Sequence, residues 1–228
     1  LVKVRVIDFE TTGFEPPASE VCEVGYCDVD VTAKTVGTHV YWLCGITGPM
    51  PAETRAIHHI SAADCDSLPP FDSDTLDAEY IWGFAAHNAE FEGKFFQSPK
   101  PMICTYKAAL RVWPDAPSHS NGTLFYWLLD QGLIHPDLRV SQPFHRAGPD
   151  AYVTGWLLVA LLNAGASGKD MVAWTKEPKL LPKCTIGKFR GVAWPDVDAG
   201  FLGWMMKQAD MDTDLKWNAA REIKRRIA

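Results

Sequence analysis

The chain lacks any apolar run approaching the roughly 20 residues that a membrane-crossing helix needs. Its N-terminus enters a strand-like pattern at once, with no signal-peptide pattern ahead of it. A cytoplasmic location with no membrane partner is therefore the expectation. There is no C-x-x-C pair either. Cys22, Cys27, Cys44, Cys65, Cys104 and Cys184 are scattered, so zinc-ligand spacing is missing and reduced thiols are expected. Internal repeats and low-complexity tracts are absent, which excludes solenoids and disordered linker proteins. Positive charge is in short supply: the formal net charge is -6, which on its own speaks against a polyanionic partner.

That average hides a division. Residues 1 to 165 carry 20 Asp and Glu against 10 Lys and Arg, a net of -10, whereas residues 166 to 228 carry 8 against 12, a net of +4. The acidic part calls for a cation, and the basic part is suited to a polyanion. With 228 residues there is room for a main domain and a smaller module. The expected division is a domain over 1–165, a linker over 166–183 rich in Gly, Lys and Pro with one short helix, and a basic module over 184–228.

Val2, Val4 and Val6 alternate with Lys3 and Arg5 and lead into Ile7, predicting a half-buried strand that delivers Asp8 and is broken by Thr11-Thr12-Gly13. Further strands are predicted over 21–29 and 36–43, completing an antiparallel opening meander, and over 80–86. Helical patterns follow near 56–63, 91–96, 105–112 and 123–129. A longer helix begins around Pro149, with Val153, Trp156, Leu157, Ala160 and Leu161 as its buried stripe. Strands first, then strands and helices mixed, imply an α/β layer structure. The module is predicted as α+β: a small strand and turn over 184–191, with Trp194 and Trp204 in its core, then a final helix.

Three clusters carry chemistry. In Asp8-Phe9-Glu10-Thr11-Thr12-Gly13, positions i and i+2 on a strand put both carboxylates on one face, where they repel unless a cation lies between them. His87-Asn88-Ala89-Glu90-Phe91-Glu92 offers a further carboxylate in Glu92 and a substrate hydrogen-bonding group in Asn88. His145-Arg146-Ala147-Gly148-Pro149-Asp150 places a proton acceptor just ahead of a helix that carries an acid in its first turn. Each has an ordinary reading when taken alone: a solvated strand-edge pair, a helix cap with first-turn acids, a structural histidine. Their combination is what phosphoryl transfer requires.

In this order the clusters resemble the ExoI, ExoII and ExoIII motifs of the DEDDh exonucleases: D-x-E-T-T-G, then H-N-A-x-F-D, then H-x-A-x-x-D. The resemblance spans residues 4 to 162. Ala56-Ile57-His58, Cys104-Thr105, Trp113-Pro114 and Gly187-Lys188-Phe189-Arg190-Gly191 are similar to segments of the bacterial exonuclease X group, and the last of these lies in the module. The resemblance implies an RNase H-like mixed β-sheet flanked by α-helices. It implies two Mg²⁺ or Mn²⁺ ions held by Asp8, Glu10, Glu92 and Asp150, with His145 deprotonating the attacking water, and a 3′→5′ exonuclease releasing nucleoside 5′-monophosphates from the 3′ end of DNA. Phe9, Thr11, Thr12, Asn88 and Phe91 would meet the terminal nucleotide, with His58 either touching it or packing beneath it. Lys188 and Arg190, with Lys216, Arg221, Lys224, Arg225 and Arg226, would track the strand. Glu92 departs from the family's Asp by one methylene, which predicts a slower or Mn²⁺-preferring enzyme. RNA as substrate, a catalytically impaired nucleic-acid-binding module, and a small-molecule phosphodiesterase are the competing readings.

Overall fold

Alternation along the first strand sorts the core into two layers. In β1 (Lys3–Thr11), Val4 and Val6 turn to one face of the sheet and Ile7 and Phe9 to the other, each pair entering a different buried cluster. The computed structural model describes residues 2–227. β1 pairs antiparallel with β2 (Val21–Asp30), setting Asp8 opposite Gly25 and Glu10 opposite Glu23. The outer edge of β2 takes two short antiparallel partners, β3 (Thr35–Val36) and β4 (Val40–Leu43). On the other side β1 pairs parallel with β5 (Ile81–Ala86), which in turn pairs parallel with β6 (Met102–Cys104). The sheet is mixed, in the order β3-β2-β1-β5-β6 with β4 also on β2. The α/β architecture expected from the sequence is the one found.

Helices cover both faces: α1 (Ala52–His58), α2 (Ala89–Phe95), α3 (Thr105–Val112), α4 (Asn121–Asp130), α5 (Ala147–Asn163) and α6 (Gly168–Lys176). α5 is the central one. It is apolar nearly all round, and Val153, Leu157, Leu158 and Leu161 are completely buried, as a helix enclosed by sheet and helices must be. No single helix among the described residues is long and apolar enough to cross a membrane. α6 packs Met171 into the cluster that holds Val4 and Leu158, and Thr175 Oγ1 accepts the Cys104 amide at 2.7 Å.

Three predicted elements changed. The strand predicted over 36–43 is interrupted, because glycine weakens a strand interior; Gly37 leaves the ladder while still donating its amide to Asp28 O at 2.9 Å. The helix near 56–63 starts earlier, at Ala52, and stops where His59 turns left-handed at φ 61. In the basic module, the strand over 184–191 reduces to one antiparallel bridge, Lys183 to Ala193, flanking a 3-10 turn at Gly187–Phe189.

Two helices complete the module, α7 (Ala199–Lys207) and α8 (Thr213–Ile227). It has its own core of Cys184, Trp194, Val197, Leu202, Met205, Leu215 and Ala219. Trp194 is buried and donates Nε1–H to Leu181 O. Trp204 does not join it. Leu202 and Met205 take the inward stripe of α7, leaving the Trp204 indole on the flank at 46% exposure. The six cysteines are free and buried.

Candidate active site

The strand face that buries Val4 and Val6 continues through Asp8 and Glu10, so the same alternation that builds the core delivers two carboxylates to the end of β1. What brings the third is a missing side chain. A Cβ at Gly25, opposite Asp8, would lie 2.1 Å from the carbonyl carbon and oxygen of Ala147. Without it, the first turn of α5 settles directly onto β2. Asp150, in that turn, then joins Asp8 and Glu10, with one carboxylate oxygen from each lying within 4.8 Å of the others.

Glu92 reaches toward this group from α2 and is 4% exposed. It lies outside the 4.8 Å trio but within electrostatic reach of Asp8 and Glu10. Burial, reinforced by the neighbouring carboxylates, holds Asp8 well above the usual carboxylate range. Burial and the Asp150 and Glu23 charges push Glu10 up to about 8. Burial raises Glu92 to about 8 and Asp150 to about 7. Burial and mutual repulsion disfavour the charged forms of these four acids, and a cation among them would offset both. Glu92 Oε2 and Asp150 Oδ1 are buried without a hydrogen-bond partner. Orphaned carboxylate oxygens beside an all-oxygen donor set fit a hard divalent ion such as Mg²⁺ or Mn²⁺.

A fifth buried acid is fully engaged. Glu23 is 0% exposed and accepts Arg146 Nε at 3.0–3.1 Å, Arg146 Nη2, and the Ala147 amide at 2.9 Å. This bidentate pair ties β2 to the start of α5, between His145 and Asp150. Glu23 has no role in the reading from sequence, since an acid in the run Val21 to Val29 reads as an ordinary polar strand position. Its available signal was a charged residue on the face of β2 whose neighbour, Gly25, has no side chain.

His145 precedes the Arg146 N-cap in a left-handed backbone conformation, φ 60, with its side chain exposed. Its amide donates to Asp150 Oδ2 at 3.0 Å, linking the loop to the carboxylate cluster. His145 and Asp150 share a groove of about 420 Å³ with Asn121, Tyr126 and Phe144. Beyond Glu10, a cavity of about 140 Å³ is lined by Phe9, Thr11, Phe14, His58 and Phe91. His58 is 2% exposed and its Nδ1 accepts the Ile60 amide, so it forms the floor of this cavity. Thr11 Oγ1 donates to Gly13 O, and Thr12 Oγ1 accepts the Glu20 amide. Both hydroxyls therefore shape the loop after β1. Asn88 caps α2 without a side-chain hydrogen bond and lines a neighbouring groove with Phe14, Phe91 and Lys94. His87 is held between Thr105 Oγ1 at 3.0 Å and His119 O at 2.7 Å, and burial lowers it to about 4. Lys188 and Arg190 lie in the basic module, apart from these cavities.

A mixed sheet with a carboxylate cluster at the end of its central strand and an acid on the crossing helix makes an all-oxygen site able to take a hard divalent cation. The exonuclease family model RNase_T matches residues 6–157, and the chain belongs to that family, with the RNase H-like fold of the DEDDh-type exonucleases. It is 31% identical over 214 residues to Exodeoxyribonuclease 10 of Escherichia coli (strain K12), covering 91% of this chain and 92% of the relative. Among solved structures, Exonuclease X in complex with 5′ overhanging duplex DNA aligns with a TM-score of 0.61 and 27% identity, covering 75% of this chain and 99% of the other. The nuclease domain of 3'hExo, a DEDDh family member bound to rAMP, aligns with a TM-score of 0.52 at 16% identity over 72% of this chain and 92% of the other, a likeness of fold alone.

Proposed function

We propose that the protein is a metal-dependent 3′→5′ exodeoxyribonuclease. The observation that carries this reading is the convergence of Asp8, Glu10 and Asp150 to within 4.8 Å, beside buried carboxylate oxygens with no partner. The relatives' names, Exodeoxyribonuclease 10 and Exonuclease X with its DNA duplex, support DNA as the substrate.

Asp8, Glu10, Asp150 and Glu92 would hold two divalent ions, which supply charge neutralisation at the attacking and leaving oxygens of a phosphodiester. His145, exposed ahead of α5, takes the proton from the attacking water. Asp150 Oδ2, by accepting the His145 amide, keeps that loop against the site. Phe9, Thr11, Phe14 and Phe91 enclose the terminal nucleotide in the cavity beyond Glu10, and Asn88 lies along the adjoining groove. Thr12 supports this pocket through its loop bond. The product is a nucleoside 5′-monophosphate.

The test is digestion of end-labelled single-stranded DNA, duplex DNA and RNA with Mg²⁺, Mn²⁺ or EDTA. A 3′ label released at once as mononucleotide, a 5′ label shortening progressively, and silence in EDTA are expected. Preferential digestion of RNA would reassign the substrate, and metal-independent release would remove the carboxylate mechanism.

A further inference from the structure

The mechanism leaves the basic module without a task, and its cations are not equivalent. Arg225 and Arg226 both pair with Glu222 on their own helix, and Arg226 also donates to the carbonyls of Trp194, Pro195 and Val197, tying α8 to the rest of the module. Lys188, Arg190 and Lys207 make no side-chain hydrogen bond or ion pair among the described residues. Lys188 and Arg190 stand on a tight turn whose ends, Gly187 at φ 58 and Gly191 at φ 84, are both left-handed. Backbone bonds from Cys184 to Val192 O and from Gly191 to Cys184 O fix the turn to the module core. Two exposed cations are thus presented on a rigid support.

Beside that turn lies an aromatic series. Phe189 meets Phe201 at 5.0 Å between ring centroids, and Phe201 stacks on Trp204 at 5.1 Å with an interplanar angle of 29°. Lys188 Nζ sits 5.0 Å from the Phe189 centroid. Phe201, Trp204 and Lys207 recur at three-residue spacing on α7, so the lysine extends the aromatic row. Asp198, beside this row, is committed to capping α7 by accepting the Phe201 amide. An exposed indole backed by a second ring and flanked by unpaired cations matches the chemistry of unpaired bases joined by phosphates.

We propose that Trp204, with Phe201 and Phe189 behind it and Lys188, Arg190 and Lys207 beside it, is a docking site for single-stranded DNA outside the active site. The proposal rests on DNA being the substrate. The bases stack on Trp204 and the cations follow the backbone, so a long strand is retained while its 3′ end is processed.

The test uses the full chain and two readouts, Mn²⁺-supported turnover and equilibrium binding, each on a trinucleotide and on an oligothymidylate of about 30 nucleotides. Trp204→Ala should raise KM and Kd for the long strand about tenfold, the scale of one lost stacking contact. It should leave kcat, and every trinucleotide parameter, unchanged. Trp204→Phe should retain most of the affinity, and Lys188→Ala with Arg190→Ala should flatten the salt dependence of long-strand binding. Long-strand affinity within twofold of the parent in Trp204→Ala and in the Lys188/Arg190 variant, with native thermal melting, overturns the proposal. So does a change from dimer to monomer in Trp204→Ala with DNA affinity unaltered, which would assign the face to a second copy. Loss of long-strand binding in Trp204→Ala from a protein that degrades no DNA would retain the docking site and refute the exonuclease reading instead.

Discussion

The two flanks of the carboxylate cluster each contain a buried glutamate, and they differ in what neutralises it. On the β2–α5 flank, Glu23 is matched by a bidentate arginine and a backbone amide. On the α2 flank, Glu92 is almost as buried, yet Oε2 has no partner at all. A buried charge that is paired can fix geometry, whereas one left unpaired either holds a proton or attracts a cation. The comparison separates an acid that positions the site from an acid that belongs to it.

The largest effect is expected at the centre. Asp8→Asn or Asp150→Asn should lower kcat on the order of 1,000-fold, as loss of a directed electrostatic contact does in a low-dielectric site; steady-state kinetics would read it. On the positioning flank, Arg146→Ala strands the Glu23 charge and should cost about 3 kcal/mol in denaturant unfolding, the low end for a broken buried pair because Arg146 is partly solvated. Adding Glu23→Gln should recover most of that loss, since the glutamine can still accept the Ala147 amide. If the double variant is no more stable than the single one, charge pairing is not what Glu23 contributes. Gly25→Ala forces α5 away from β2 and should cost about 1–3 kcal/mol by overpacking. Its turnover should fall about 100-fold if the Asp150 displacement approaches 1 Å.

The clustered acids also predict how the chelated protein responds to pH. Glu10 and Glu92 near 8 and Asp150 near 7 keep protons in the folded state that an unfolded chain has released above about 4. The folded state is therefore favoured below the unfolded values, and stability falls as pH rises from about 4 toward 8. Melting in EDTA should show that decline, and Mn²⁺ should reverse it at the upper end. A flat profile would mean that the cluster's protons are not linked to folding. The smallest effect is Glu92→Asp, which should preserve or modestly raise turnover. A complete loss of activity would show that the match of Glu92 to the family's Asp, or the role given to it, is wrong.

Much of this site was legible because its signals are local. Asp8 and Glu10 follow from strand alternation, and Asp150 from an acid in the first turn after Pro149. Their meeting was not derivable from spacing, because it depends on the backbone approach at Gly25, where the informative feature is an absent side chain. Glu23 escaped for a related reason: nothing in Val21-Cys22-Glu23-Val24 says that Arg146, 123 residues away, will close on it. The antiparallel start of the sheet and the central helix were readable from periodicity, while the break at Gly37 and the outward Trp204 were decided by packing. Apolar character alone cannot tell which of Leu202, Trp204 and Met205 fills a small core.

The most direct measurement is Mn²⁺ titration of the parent, Glu92→Gln and Glu23→Gln proteins by calorimetry in buffers of different protonation enthalpy. The parent should bind two ions with release of protons. Glu92→Gln should lose one ion or bind it far more weakly, and Glu23→Gln should keep both. Equal stoichiometry and affinity in Glu92→Gln and the parent, or loss of an ion in Glu23→Gln alone, would contradict the division between the metal-binding and positioning flanks.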